Sequence, residues 1–128
     1  MSMSKSNIRR YEAKAQTTNT FGRVLCSCRN HHFIVDGPVQ NGCPGEEVTP
    51  GEYFLAGIAA CGVELLQVLA HQEETHLKSV NVDIAGEMDR SSPIHPEFTL
   101  FNSIRLKFRL EGVSIDRGQQ LVESFKGR

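Results

Sequence analysis

Alternating apolar and polar positions predict that much of this chain folds into β-strands. Leu77–Gly86 and Ile104–Leu110 each place apolar side chains on one face and polar or charged side chains on the other. That alternation is typical of half-buried antiparallel strands. In the first half of the chain, Gly22–Cys28 and His31–Asp36 are predicted to be the two arms of a hairpin. The earlier segment Ile8–Ala15 is loosely strand-like.

The most strongly predicted helix begins near residue 50. Thr49 suits the N-cap, Pro50 the first helical position, and Glu52 lies in the first turn. The following segment, Tyr53–Ala70, is apolar on nearly every side. A helix of that kind in a soluble protein must be covered by a sheet, by other helices or by a second subunit.

A second helix is expected after Ser114, its N-cap, with Leu121 and Phe125 on one face. The resulting order, three strands, a helix, two strands and a helix, predicts an α+β fold. We expect an antiparallel β-sheet packed on a long, buried central helix, in a single domain over residues 1–128. Residues 1–7 are small and polar, and we expect them to be disordered.

Composition excludes several classes of protein. Fourteen Lys and Arg against fifteen Asp and Glu give a net charge of −1, so we expect no nucleic-acid partner. The longest apolar stretch, Tyr53–Val63, is about half the length that a membrane span needs, so no membrane partner is expected either. The N-terminus lacks the apolar segment of a signal peptide. We therefore expect a cytoplasmic protein, whose cysteines are more often catalytic, metal-binding or buried than disulfide-bonded.

Cys61, inside the predicted central helix, allows two interpretations. Free cysteine is among the most buried residue types, so Cys61 can be a core thiol. A reactive thiolate instead needs a positive group nearby, and the helix N-terminus is too distant because its dipole effect fades within a turn. Glu52 lies nine residues earlier, about 13 Å along a helix axis. The two side chains therefore meet only through a kink or a second subunit.

Three further cysteines and two histidines raise the possibility of a metal site. These residues are Cys26, Cys28, Cys43, His31 and His32. The Cys-x-Cys spacing does not match common zinc sites, which place two to four residues between the cysteines. On a strand the two thiols share a face about 7 Å apart, too far for an easy disulfide. We therefore expect no metal, although a small zinc protein remains a third class to test.

The segment from Arg29 to Cys61 resembles the OsmC/Ohr family, the osmotically inducible and organic hydroperoxide resistance proteins. The family pattern is Arg-x-His, Asp-x-Pro, a Gly-rich loop, Thr/Ser-Pro-x-Glu and an Ala-rich helix that reaches a cysteine. The matching positions are Arg29-Asn30-His31, Asp36-Gly37-Pro38, Asn41-Gly42, Thr49-Pro50-Gly51-Glu52 and Cys61. Glu52 stands one residue closer to the cysteine than in the Ohr branch, which favours the OsmC-like branch.

The resemblance implies an intertwined homodimer whose active site lies at the subunit interface. It also implies a thiol peroxidase that reduces small organic hydroperoxides, needs no cofactor or metal, and is recycled by a dithiol reductant. By position, Cys61 is the nucleophile and Glu52 orients an arginine beside the thiolate. Arg29 is favoured for that arginine because it matches Arg-x-His, and Arg23 is the alternative.

One position departs from the family pattern. The resemblance implies a resolving cysteine at position 127 or a little beyond, and the chain has none up to Arg128. We therefore expect the domain to be truncated at its C-terminus, or an external thiol to reduce the sulfenic acid. The alternative function is a ligand-binding or structural stress protein of the same fold, without enzymatic activity and with Cys61 as a buried core thiol.

Overall fold

The computed structural model describes residues 7–92 and 101–126. Contacts divide the chain into two compact units, which we call the N-unit, up to Glu52, and the C-unit, from Tyr53. The expectation of a single domain stays a prediction. The expectations for residues 1–6 and for the chain after Lys126 lie outside the described residues. Asn7, the last residue of the segment expected to be disordered, belongs to no helix or strand.

The N-unit contains a three-stranded antiparallel sheet, ordered β1-β2-β3. The strands are β1 (Lys14–Thr17), β2 (Arg23–Cys28) and β3 (His31–Asp36). The hairpin of β2 and β3 confirms the predicted arms, with β2 beginning one residue later than expected. The predicted first strand, Ile8–Ala15, begins earlier than the observed β1. Strand β2 ends at Cys28, so the residues that precede β1 have no strand residues with which to pair.

The Gly- and Pro-rich loop after β3 folds back onto the hairpin. The N–H of Gly37 donates to the carbonyl of Gly22 at 2.8 Å, and the N–H of Asp36 to that of Val48 at 3.1 Å. The side chain of Cys43 packs against Gly22 and Gly37, where a Cβ would overlap its sulfur. Two glycines therefore make room for this cysteine, and the loop follows a defined path to the next helix.

Two helices and a second sheet complete the fold. Helix α1 spans Pro50–Gln72, and β4 (Ser79–Glu87) pairs with β5 (Ser103–Glu111) in an antiparallel hairpin. Helix α2 spans Ile115–Lys126. The hydroxyl of Ser114 accepts the backbone N–H of Arg117 at 3.1 Å, which confirms the predicted N-cap.

The core of the C-unit is apolar. Its buried residues are Leu66, Leu69 and Ala70 of α1 and Leu121 of α2. Phe108 of β5 and Phe125 of α2 meet edge to face beside it, with ring centroids 5.5 Å apart. Apolar side chains of the two predicted strands, Leu77–Gly86 and Ile104–Leu110, and of the predicted face of α2 thus pack against the same core. The α+β fold with antiparallel sheets is confirmed.

The length argument from Tyr53–Val63 does not hold for the whole helix, because α1 is long and apolar enough to span a membrane by length and composition alone. Core helices of soluble proteins meet the same criterion. The residues of α1 that this chain buries are confined to its second half, from Gly62 to Ala70. In the first half, Tyr53, Phe54 and Ala60 are exposed. Only 22% of the apolar window is buried, so a large apolar face of α1 is left uncovered within a single chain.

Candidate functional site

Cys61 lies near the middle of α1, and its side chain is exposed. The other cysteines, Cys26, Cys28 and Cys43, are free and half-buried. The alternative interpretation of Cys61 as a buried core thiol is therefore not met within this chain. A thiol that reacts with a dissolved substrate has to be accessible in this way.

Glu52 closes the first turn of α1. Its Oε1 accepts hydrogen bonds from the backbone N–H and the hydroxyl of Thr49, both at 2.9 Å. The N–H of Glu52 donates to the hydroxyl of Thr49 at 3.4 Å, which completes a capping box. The N–H and then the hydroxyl of Thr49 lower the pKa of Glu52 below its usual value. The carboxylate is thus held ionised in a set orientation.

Arg23, the alternative arginine, is already paired. Its Nε and Nη2 donate to the two carboxylate oxygens of Asp36, each at 2.8 Å, in a bidentate ion pair. Nη2 also donates to Oε1 of Glu46 at 2.8 Å. These hydrogen bonds raise the pKa of Arg23 above its already high usual value. The guanidinium is therefore committed to two carboxylates of the N-unit.

Asp36 is the fully buried charged residue of the N-unit, with none of its surface exposed. Besides Arg23, its Oδ2 accepts the backbone N–H groups of Glu46 at 3.1 Å and Glu47 at 2.9 Å. The hydrogen bonds from Arg23, and then those from the two amides, hold the pKa of Asp36 well below its usual range. Four hydrogen bonds satisfy the buried carboxylate, as burial of a charge requires.

Arg29 occupies the two-residue turn between β2 and β3. Its backbone is left-handed, with φ 54°, and its side chain is exposed. Among residues 7–92 and 101–126, no carboxylate forms an ion pair with it within 4.0 Å. Of the two arginines considered, Arg29 is therefore the one with a guanidinium available to another group.

The ion pair of the N-unit was missed by the sequence reasoning, although a signal was present. A two-residue turn at positions 29 and 30 pairs Cys28 with His31, and counting outward along the hairpin pairs Arg23 with Asp36. The register alone therefore places opposite charges side by side. The sequence patterns assign Asp36 to the second hairpin arm and to Asp-x-Pro, and neither pattern gives it a charged partner.

The candidate metal ligands do not converge in the structure. Within the described part of the chain, no three His, Cys, Asp or Glu side chains are grouped so that they could hold a metal ion. Cys26 and Cys28 lie on one face of β2, opposite Phe33 and His31 in the register. His32 is paired instead with Ser27, whose Oγ lies 2.7 Å from its Nδ1.

Solved structures of several bacterial proteins share this fold. An OsmC-like protein from Mycoplasma pneumoniae superposes with a TM-score of 0.78 at 14% identity, covering 94% of this chain and 82% of that one. An organic hydroperoxide resistance protein OsmC from Legionella pneumophila gives 0.74 at 19% identity, covering 95% and 85%. An organic hydroperoxide resistance protein from Elizabethkingia anophelis gives 0.75 at 19% identity, covering 96% and 85%.

No curated protein sequence matches the chain significantly. The family model of OsmC-like proteins matches residues 43–126, from the loop that precedes α1 to the end of α2. This span includes Glu52 and Cys61, which both lie on α1. By this match, and with the fold of the solved structures in agreement, the chain belongs to the OsmC-like protein family.

Proposed function

We propose that this protein is a thiol-dependent peroxidase that reduces organic hydroperoxides through Cys61. The observation that carries the proposal is the exposed thiol of Cys61, midway along the apolar helix α1 of an OsmC-like chain. The similar structures from Legionella and Elizabethkingia are those of organic hydroperoxide resistance proteins, which supports the substrate class. We also propose, from the sequence, that the protein works in the cytoplasm.

The proposed reaction begins with the thiolate of Cys61. Its sulfur attacks the distal oxygen of the hydroperoxide, so an S–O bond forms while the O–O bond breaks. The leaving alkoxide takes up a proton and departs as an alcohol, and Cys61 becomes a sulfenic acid. The sulfur is oxidised by two electrons, and the peroxide is reduced by the same two electrons.

A dithiol completes the proposed cycle. One of its thiols attacks the sulfenic sulfur and releases water, and its second thiol then displaces Cys61 from the mixed disulfide. The dithiol leaves as a disulfide and Cys61 returns to its thiol form. No organic cofactor or metal enters these steps.

Glu52 and Arg29 are the proposed partners of Cys61. A guanidinium beside the sulfur stabilises the thiolate, which is the nucleophilic form. Arg29 is preferred to Arg23, because Arg23 already pairs with Asp36 and Glu46. The capping box holds the Glu52 carboxylate ionised, which suits a group that orients a guanidinium by a charge-assisted hydrogen bond.

We further propose that the active protein is a homodimer with its active site at the subunit interface. The support is the exposed first half of α1, where aromatic and small side chains face outward. These residues are Tyr53, Phe54, Ala56, Gly57, Ala60 and Cys61. Large exposed apolar faces of this kind mark interaction sites, and small residues allow two backbones to approach closely.

The peroxidase is tested by replacing the proposed nucleophile. Cys61→Ser is expected to reduce the consumption of cumene hydroperoxide with dithiothreitol to the uncatalysed rate, because a serine hydroxyl cannot form a sulfenic acid. The matched control is Cys28→Ser, which changes the same atom in a half-buried thiol of the N-unit. This control is expected to keep full activity.

A single-turnover experiment separates the first step from the dithiol steps. The protein is mixed with one equivalent of tert-butyl hydroperoxide and a sulfenic-acid trap, and the modified peptide is identified by mass spectrometry. Modification confined to Cys61 supports the proposal. A Cys61 that stays unmodified, or a Cys61→Ser protein as active as the wild type, overturns it in favour of a ligand-binding or structural role.

The dimer is tested separately by sedimentation of the wild-type protein at micromolar concentrations. A dimer is expected, and Ala60→Arg should shift it to monomers, because a charge would be placed on the exposed apolar face of α1. Gln67→Arg, at a polar exposed position of the same helix, is the control. A wild-type monomer would contradict the proposal.

A further inference from the structure

One end of the N-unit sheet carries a row of polar side chains across all three strands. Lys14 of β1 pairs with Ser27 of β2, and Ser27 pairs with His32 of β3. Residues that are directly opposite in adjacent strands point to the same face of a sheet. Lys14, Ser27 and His32 therefore lie side by side on one face, next to the turn that holds Arg29.

A cavity of about 910 Å³ opens beside this row. It is lined by residues 10–14 and by the end of the hairpin of β2 and β3. We call it the basic groove, and its polar lining residues are Arg10, Glu12, Lys14, Ser27, Arg29 and His32. Three of them are permanent cations and one is a carboxylate, so the lining carries a net charge of about +2 with His neutral. The whole chain has a net charge of −1, so this positive charge is local.

The backbone of Arg29 is a second indication that the groove is functional. A two-residue hairpin turn that needs a positive φ favours Gly or Asn, and an arginine there is strained. Arg29 nevertheless adopts φ 54°, and its side chain lines the groove. Strained non-glycine residues cluster at binding sites, where the side chain is needed in one place.

The hydrogen bond of His32 adds a donor to the same lining. When the hydroxyl of Ser27 donates to Nδ1, over the 2.7 Å that separate the two atoms, the proton of neutral His32 is on Nε2. A protonated His32 also carries a hydrogen on Nε2. Two guanidinium groups, one ammonium group and an imidazole N–H therefore line one cavity, and these are groups that bind oxyanions.

We propose that the basic groove binds a small organic phosphate monoester. A phosphate dianion matches the charge of the lining, and its oxygens accept bidentate hydrogen bonds from guanidinium groups. The groove is open to solvent and far larger than one phosphate ion, so it leaves room for an organic group beside the phosphate. The ring of Tyr11, 83% exposed and part of the lining, gives the organic part a surface for stacking.

The proposal does not depend on the peroxidase. Binding in the basic groove requires neither Cys61 nor α1, since all of its lining residues belong to the N-unit. Arg29 is also a proposed partner of Cys61, so the variants that test the groove are made at Arg10 and Lys14. Neither residue has a role in the proposed peroxide reaction, so ligand binding is measured directly in both variants and does not depend on an activity assay.

The test is an amide-shift titration by NMR with phenyl phosphate, inorganic phosphate and benzoate. Phenyl phosphate is expected to shift the amides of the groove residues and to bind several-fold more tightly than either of the other two. Lys14→Ala and Arg10→Ala should each weaken that binding about tenfold, through loss of one charge-assisted hydrogen bond. Lys107→Ala, which removes the same charge from an exposed position of β5, should leave it unchanged.

Three results would overturn the proposal. The first is an absence of groove shifts with millimolar phenyl phosphate. The second is an equal loss of affinity in Lys14→Ala and Lys107→Ala, which would indicate diffuse attraction rather than a site. The third is equal binding of benzoate and phenyl phosphate, which would assign the groove to carboxylates or aromatic rings.

Discussion

Among the described residues, the largest fully buried side chain of the N-unit is an aspartate, Asp36, whereas the largest ones of the C-unit are leucines, Leu66 and Leu121. Asp36 is held by hydrogen bonds with defined directions, from Arg23 and from two loop amides. The leucines are held by contacts that have no preferred direction. The N-unit thus uses its buried group to place a loop, and the C-unit uses its core to hold a helix pair together.

This difference between directional hydrogen bonds and apolar packing fits the role proposed for each unit. The loop that Asp36 organises leads directly to Thr49 and the capping box of Glu52. The apolar core of the C-unit anchors the second half of α1, near Leu66 and Leu69, and leaves Cys61 exposed. Directional hydrogen bonds suit the placement of a polar group, because they lose strength quickly when the geometry changes.

The largest expected effect on stability is in the C-unit. Leu121→Ala is expected to lower the free energy of unfolding by about 3 kcal/mol, from lost apolar contact and a residual cavity. The matched control is Ile115→Ala on the same helix, where the side chain is 80% exposed and the change should be small. Urea denaturation measures both. Similar losses in the two variants would contradict an apolar core centred on Leu121.

In the N-unit, Asp36→Asn is expected to lower the midpoint of thermal unfolding by several degrees. The shape of the side chain is kept, but Arg23 loses its buried counter-charge. Hydrogen exchange localises the effect, since the amides of Glu46 and Glu47 donate to this carboxylate and should lose protection. Unchanged protection of these two amides would show that Asp36 does not organise the loop.

The ion pair of Arg23 and Asp36 predicts that the stability of the protein depends on pH. The pKa of Asp36 is lower in the folded protein than in the unfolded chain, so its contribution to stability is complete above the unfolded value of about 3.9. It is lost as the pH falls below that value, toward the folded pKa. Urea midpoints at pH 7 and pH 3 should differ less for Asp36→Asn than for the wild type, and an equal difference would contradict this assignment.

The smallest effect is expected at the start of α1. Thr49→Ala removes the hydroxyl of the capping box and should cost about 1 kcal/mol of unfolding free energy. Thr49→Ser keeps the hydroxyl and should restore most of it. Thr20→Ala, at an exposed threonine outside both helices, is the control. If the serine variant is no more stable than the alanine variant, the capping box does not stabilise the helix.

Local patterns predicted most of the elements, because each depends on near neighbours along the chain. Strand β3 was predicted with its observed bounds, and α1 begins at Pro50 as its cap and proline indicate. Strand β1 was misplaced, since its position depends on where β2 offers hydrogen-bond partners. Such pairing is a property of two segments and is not visible in either one.

For the candidate site, the residue types and their spacing can be read from the sequence without the structure. The sequence predicts that Cys61 lies in an apolar helix and that Glu52 lies in the first turn of that helix. It also resembles a family with that pattern. Three features follow from the folded structure: Cys61 is exposed, Arg23 is paired with Asp36, and Arg29 lines a basic groove. Exposure and ion pairing depend on contacts between residues distant along the chain, which the packing of strands and loops creates.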